Sequence, residues 1–162
     1  MSEGKTRTTK KENTRDSSKN TSNGLHGNIR DRVVIRKAEI KDQYAITKYL
    51  DKYLRRDWFE TRKRLLTFLK FYNCHVAFDK DKLIGFSVVQ KNGLMIRLLI
   101  IPEYRGMGVG GRMLRESKPQ IIRCKTDQST GDPSAFYEKH GYFAQGERIG
   151  RKKNIQLMLK KL

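Results

Sequence analysis

The chain has 162 residues, with 36 Lys and Arg against 17 Asp and Glu, a net charge of +19, and 36% hydrophobic residues. That is enough for one domain with a modest core, and the charge favours a polyanionic or acidic partner. No apolar run approaches the ~18 residues of a membrane span, no signal-peptide core is visible, and two lone cysteines build no disulfide or zinc framework, so a cytoplasmic protein is expected.

Residues 1–31 hold only three hydrophobic side chains, Met1, Leu25 and Ile29, among Ser, Thr, Asn, Lys and Gly. Such a stretch buries too little apolar surface to offset its ordering entropy, and it reads as a disordered basic arm ahead of a domain spanning 32–162. The arm holds 7 of the 36 basic and 4 of the 17 acidic residues, which leaves a net +16 for the domain.

Val33 to Ala38 is short and β-branched, a predicted strand. Asp42 offers an N-cap to a helix with Tyr44, Ile46, Tyr49 and Leu50 at helical spacing, and a second helix is predicted from Asp57 to Lys70. Strands follow at Cys74 to Phe78 and Leu83 to Gln90, then the hairpin signal Asn92-Gly93. Leu94 to Ile101 is nearly continuously apolar, the pattern of a central strand covered on both faces, and Pro102 ends it. A helix around Arg112 to Arg115 is closed by Pro119, and Ile121 to Lys125 is a strand. Asp132-Pro133 predicts an N-cap with proline at the first helical position, and Gly141 a helix stop. Strands at Phe143 to Ile149 and Asn154 to Leu159 complete the order β-α-α-β-β-β-α-β-α-β-β.

The run Gly106-Met107-Gly108-Val109-Gly110-Gly111 satisfies Gly-x-Gly-x-x-Gly, and Asp127 lies 21 residues after Gly106. A dinucleotide fold nevertheless needs such a loop after its first strand, within parallel βα units, and an Asn-Gly hairpin precedes this one. No Gly-Lys-Ser/Thr follows, so it is no Walker loop either. Closely spaced glycines at a helix N-terminus still suit an anion, and Arg105 adds a planar donor fork for phosphate. A plain flexible turn is the alternative on spacing alone.

Arg105 to Gly110, following a strand and Pro102-Glu103-Tyr104, resembles the coenzyme A signature Arg/Gln-x-x-Gly-x-Gly/Ala of the GNAT acetyltransferases. Ala135-Phe136-Tyr137-Glu138-Lys139-His140-Gly141-Tyr142-Phe143 resembles that family's second signature, and Ile35 to Ala38 its opening strand. The resemblance covers about 32–145. It implies an α/β fold, a mixed central sheet of six to seven strands flanked by about four helices, and acetyl-CoA-dependent N-acetyl transfer by direct attack of an amine.

The same resemblance implies that backbone amides of Arg105, Gly106, Met107, Gly108, Val109, Gly110 and Gly111 cradle the coenzyme A pyrophosphate. The preceding strand, at Leu99, Ile100 and Ile101, would hold the pantetheine arm. Tyr137 matches the tyrosine that protonates the leaving thiolate, with a purely packing role as its alternative. Glu103 and Asp127 are candidates for the general base, or simply solvated carboxylates. The family commonly has an asparagine seven residues before that tyrosine. Thr130 stands there instead, and no asparagine role is carried over.

Lys52, Arg55, Arg56, Arg62, Lys63, Arg64 and Lys70 interleave with Tyr53, Trp58 and Phe59. Basic groups beside rings suit DNA or RNA through residues 52–70, and an ordinary amphipathic helix with solvated cations is the alternative. The positive field disfavours polyamines and other cationic acceptors. It favours an amine on an acidic or nucleic-acid-associated molecule, a modified base included. A protein N-terminal or lysine acetyltransferase, or a non-catalytic nucleic-acid-binding protein of this fold, remain the alternatives. His26, His75 and His140 lack metal-ligand spacing, so no metal is expected, and Cys124 reads as packing rather than a nucleophile.

Overall fold

The computed structural model describes residues 29–53, 63–126 and 131–161. Among them seven strands form one sheet: β1 Val33–Lys37, β2 Asn73–Asp79, β3 Lys82–Val89, β4 Leu94–Ile100, β5 Ile121–Lys125, β6 Tyr142–Ile149 and β7 Ile155–Lys160. Their spatial order is β1-β2-β3-β4-β5-β7-β6. Among the described residues five α-helices accompany them: α1 Ile29–Arg32, α2 Gln43–Tyr53, α3 Leu65–Phe71, α4 Val109–Ser117 and α5 Ser134–Lys139. The predicted element order holds, with α1 added in front. Ile29 to Asp31, grouped with the arm in the sequence reading, belong to α1, and Ile29 is buried. Among the described residues no helix is long and apolar enough to cross a membrane.

Adjacent strands pair antiparallel except β4 and β5, which run parallel. Register then sorts the side chains. Gly85 of β3 lies against α4, where an added Cβ would stand 2.9 Å from Met113 Sδ and 3.3 Å from the Ala77 Cβ. Met113, fully buried, fills that space. Tight apolar contact of this kind is what fixes a helix on a sheet. On the other face Val76, Phe86 and Val88 join Ile46, Leu50, Leu65 and Phe68 in the main core. A second cluster around Met95, Leu114, Ile122, Cys124, Tyr137, Tyr142 and Met158 lies under α4 and α5. Cys74 and Cys124 are both free and buried, one in each cluster.

Two predicted caps shift. Asp42 is the third residue of a 3-10 turn, Ile40–Asp42, that leads into α2. Its carboxylate accepts the Glu39 N–H at 2.8 Å and pairs with both terminal nitrogens of Arg36 at 2.8 and 2.9 Å. An arginine fork on β1 outbids the helix amides for that carboxylate, because both of its oxygens are engaged at once. At α5, Pro133 falls one position earlier than expected, just outside the helix, while Asp132 Oδ1 accepts the Ser134 N–H at 2.9 Å.

Candidate active site

The ladder of β4 ends where Ile101 N–H donates to Ile84 O at 3.0 Å, since the next residue, Pro102, has no N–H. A 3-10 turn, Pro102–Tyr104, and Arg105 then turn the chain toward α4. Gly106 and Gly108 have φ of +79° and +84°, and nothing lies within 4 Å of a Cβ placed on either. Left-handed backbone of this kind is what favours glycine there, and the space beside it is open. Arg112 is the first α4 residue whose N–H reaches back, to Gly108 O at 3.1 Å. The amides of Val109, Gly110 and Gly111 precede it and have no acceptor inside the helix, so they point out of its positive end. Arg105, exposed beside them, donates from Nε to Ile100 O at 3.0 Å, which holds its guanidinium at the mouth of the loop. Such a cradle of amide donors beside a guanidinium suits an anion.

Gly110 and Gly111 do different work. A Cβ on Gly110 would stand 3.0 Å from Phe136 Cζ, and one on Gly111 only 2.5 Å from His140 Cε1. These glycines let α5 close on α4. Burial and the cations Lys139 and Arg115 push the His140 pKa down, so the ring packs there neutral.

Beyond its first residues β4 departs from the sequence expectation of a strand covered on both faces. Its parallel pairing with β5 covers only Leu94 with Ile121 and Met95 with Ile122. Met95 is buried, but Ile96 to Ile100 are half-buried, before Ile101 is buried again. A register shift opposite Val88 and Val89 leaves Ile96 as an extra residue on β4. Such a bulge bends a strand away from its neighbour. Leu99 and Ile100 therefore border a slot that opens between β4 and β5, lined on one side by strand backbone.

Tyr137 is buried in the second cluster, its ring 5.1 Å from Phe136 and 6.4 Å from Tyr142 between centroids. Burial above all, with Cys124 and Tyr142 nearby, pushes its hydroxyl pKa well up, so the phenol keeps its proton. The Cys124 thiol is likewise pushed up to about 11, which suits packing and not nucleophilic attack. Glu103 is exposed on the 3-10 turn and shares no bond with Tyr137 among the described residues. Asp127 and Thr130 lie outside the described residues, as do Arg55, Arg56, Trp58, Phe59 and Arg62 of the basic run. Of that run's described members, Lys52, Lys63, Arg64 and Lys70 are exposed, and Tyr53 packs half-buried against Tyr49 at 5.4 Å. No cluster of His, Cys, Asp and Glu able to hold a metal occurs among the described residues.

Sequence reasoning missed the clasp that holds the cradle. Arg32 donates from Nε and Nη2 to the two Asp79 oxygens at 2.9 and 2.8 Å, and the Tyr104 hydroxyl donates to Asp79 as well. Arg112, in the first turn of α4, donates to the carbonyls of Arg30 and Val33 at 3.0 and 3.1 Å. The loop is thereby tied at both ends to α1 and β1. No local pattern signals partners 25 to 82 residues apart.

Residues 70–143 match the family described as Acetyltransferase (GNAT) domain. That match spans the chain from the end of α3 to the start of β6 and takes in both motifs of the resemblance. An uncharacterized N-acetyltransferase of Escherichia coli K12, YjhQ, is 31% identical over 70 residues, which span 42% of this chain and 38% of that relative. The GNAT fold is shared with the PaiA N-acetyltransferase of Thermoplasma acidophilum, solved in complex with coenzyme A (TM-score 0.57, 18% identity, covering 80% of this chain and 99% of that one). The ribosomal-protein-S18-alanine N-acetyltransferase of E. coli superposes with a TM-score of 0.58 at 15% identity, covering 78% of this chain and 90% of its own. The glycine loop and Tyr137 fall on the two motifs that carried the resemblance, and both lie within the matched residues.

Proposed function

We propose that the protein is an acetyl-CoA-dependent N-acetyltransferase. The observation that carries this reading is the cradle at Gly106 and Gly108, open where a Cβ would sit and directly following the strand that parts from β5. The amides of Val109 to Gly111 and the Arg105 guanidinium bind the diphosphate, and the backbone of Leu99 to Ile101 holds the arm. Bound there, acetyl-CoA supplies an acyl group activated as a thioester. The chain's own contribution is mostly placement. An ordered backbone edge fixes the reacting carbonyl, and N–H groups aimed at its oxygen lower the barrier without reorganising. Tyr137, kept protonated by burial, delivers a proton to the departing sulfur. Glu103, exposed on the turn, or Asp127 takes a proton from the amine through water.

The net charge of +16 outside the arm favours an acceptor amine on an acidic or phosphate-bearing molecule, nucleic acid included. Calorimetry of acetyl-CoA binding at moderate salt, followed by thiol release with amine acceptors, tests the reading. Saturable binding and acceptor-dependent release are expected. Salt-sensitive DNA binding with no response to acetyl-CoA would instead favour a non-catalytic nucleic-acid-binding protein.

A further inference from the structure

We propose that the tip of the β6–β7 hairpin docks the phosphate backbone of a nucleic acid, the molecule that carries the acceptor amine. The proposal rests on the phosphate-bearing acceptor named above and identifies the surface that holds it. The turn between β6 and β7 reads Gly150-Arg151-Lys152-Lys153-Asn154. The Lys153 N–H closes it on Gly150 O at 3.1 Å, with Gly150 and Lys153 in left-handed backbone at φ +94° and +52°. So tight a turn gathers three consecutive cations at the tip, all of them exposed. Among the described residues none of the three side chains pairs with a carboxylate or lies over a ring. Arg148, further down β6, is already engaged with Asp132. In the basic run at 52–70, by contrast, Lys52 and Arg64 lie over the rings of Tyr53 and Phe68 at 5.2 and 5.3 Å.

The base of the hairpin is clamped to the end of β5. The Thr126 N–H donates to Asn154 O at 2.9 Å, Asn154 Nδ2 donates to Thr126 O at 3.2 Å, and Arg148 Nη1 donates to Thr126 Oγ1 at 3.1 Å. Gly150 packs on Ile155, whose Cδ1 would stand 3.0 Å from an added Cβ. A tip held this way presents its charges without first having to be ordered. Because β4 and β5 run parallel, Thr126 lies at the same end of the sheet as Ile100 and the glycine loop. A molecule held at the tip is therefore alongside the acetyl-transfer site proposed above. The turn lies beyond the last ladder pairing, Ile149 with Ile155, so its cations project past the sheet. Projecting cations suit a groove bordered by regularly spaced phosphates, whereas a bound peptide needs pockets for its anchoring side chains.

The test is fluorescence anisotropy of the full chain against a labelled DNA duplex, its single strand, the RNA of the same sequence and polyglutamate, each over a range of salt. Two triple variants are compared. One combines Arg151→Gln, Lys152→Gln and Lys153→Gln. The other combines Lys70→Gln, Lys91→Gln and Lys118→Gln, three cations exposed at the opposite end of the sheet. The two carry equal net charge, so any difference between them reports position and not the overall field. The hairpin variant should bind the tightest nucleic acid about tenfold more weakly at moderate salt, with the slope of log Kd against log salt reduced by about two to three. The second variant should stay within about threefold of wild type. Tm and acetyl-CoA affinity at moderate salt should not change in the hairpin variant. The probe bound most tightly identifies the form of nucleic acid. Equal losses in the two variants, an unchanged slope in the hairpin variant, or polyglutamate bound as tightly as the nucleic acids would each overturn the proposal. A wild type that binds no nucleic acid would overturn the phosphate-bearing acceptor itself and the proposal with it, while acetyl-CoA calorimetry decides the acetyltransferase reading separately.

Discussion

Gly111 and His140 set how closely α5 approaches α4: a Cβ on Gly111 would stand 2.5 Å from His140 Cε1 and 3.0 Å from Nε2. The imidazole is fixed in turn against Phe136, with ring centroids 4.8 Å apart. The last glycine of the motif is thus a packing residue for the helix that carries Tyr137.

Gly111→Ala should therefore destabilise the fold by about 1–3 kcal/mol through overpacking. His140→Ala in the same chain should return most of that loss by emptying the contested space. Denaturant unfolding of the single and double variants measures it as a shift in midpoint at constant slope. Additive losses would show that the two residues do not compete for space.

The clasp at Asp79 predicts a dependence of stability on acid. Hydrogen bonds from Arg32 and Tyr104 hold the Asp79 pKa down at about 2, below its ordinary 3.8. A depressed carboxylate contributes stability that is complete above the unfolded pKa and lost as pH falls through the folded one. Wild-type Tm should thus fall between about pH 4 and pH 2, and Asp79→Asn should lower Tm at pH 7 while flattening that slope. Equal slopes in the two proteins would remove the clasp as the cause. Because Tyr104 adjoins Arg105, the variant should also loosen the cradle.

Much of this site is legible in the chain because its signals are local. Pro102, the glycines and Arg105 fall within ten residues, and strand, turn and helix start follow from proline geometry and left-handed backbone. The division of labour among those glycines is not legible, since Gly110 and Gly111 are constrained by Phe136 and His140 on a later helix. Nor is the parting of β4 from β5: the apolar run from Leu94 to Ile101 reads as a covered strand, and only the short parallel register exposes its second half. Arg97 and Arg123 interrupt apolar runs without any spacing that relates them, and the sheet alone brings them to one cavity.

Arg105 stands at the mouth of the cradle with Nε held on Ile100 O, so its charge is presented without loss of order on binding. Arg105→Glu reverses that charge beside the diphosphate position. It should abolish measurable acetyl-CoA binding in calorimetry at moderate salt, where weak attraction of polyphosphates to the basic surface is screened. Arg105→Lys should keep weakened binding, the charge remaining without the fork. Unchanged affinity in Arg105→Glu would place the diphosphate elsewhere.

Tyr137 distinguishes a proton donor from a packing residue. Phenylalanine keeps the ring contacts with Phe136 and Tyr142 and deletes only the hydroxyl, so Tyr137→Phe should fold with an unchanged Tm. With the donor gone, the sulfur must leave unprotonated or wait for water, and kcat should drop about 10²-fold at constant acetyl-CoA affinity. The pH profile provides a second check. Because burial raises this hydroxyl above the usual tyrosine range, wild-type kcat should show no alkaline loss below about pH 10. A Tyr137→Phe enzyme with wild-type kcat would leave the ring its packing role alone and assign the proton to solvent.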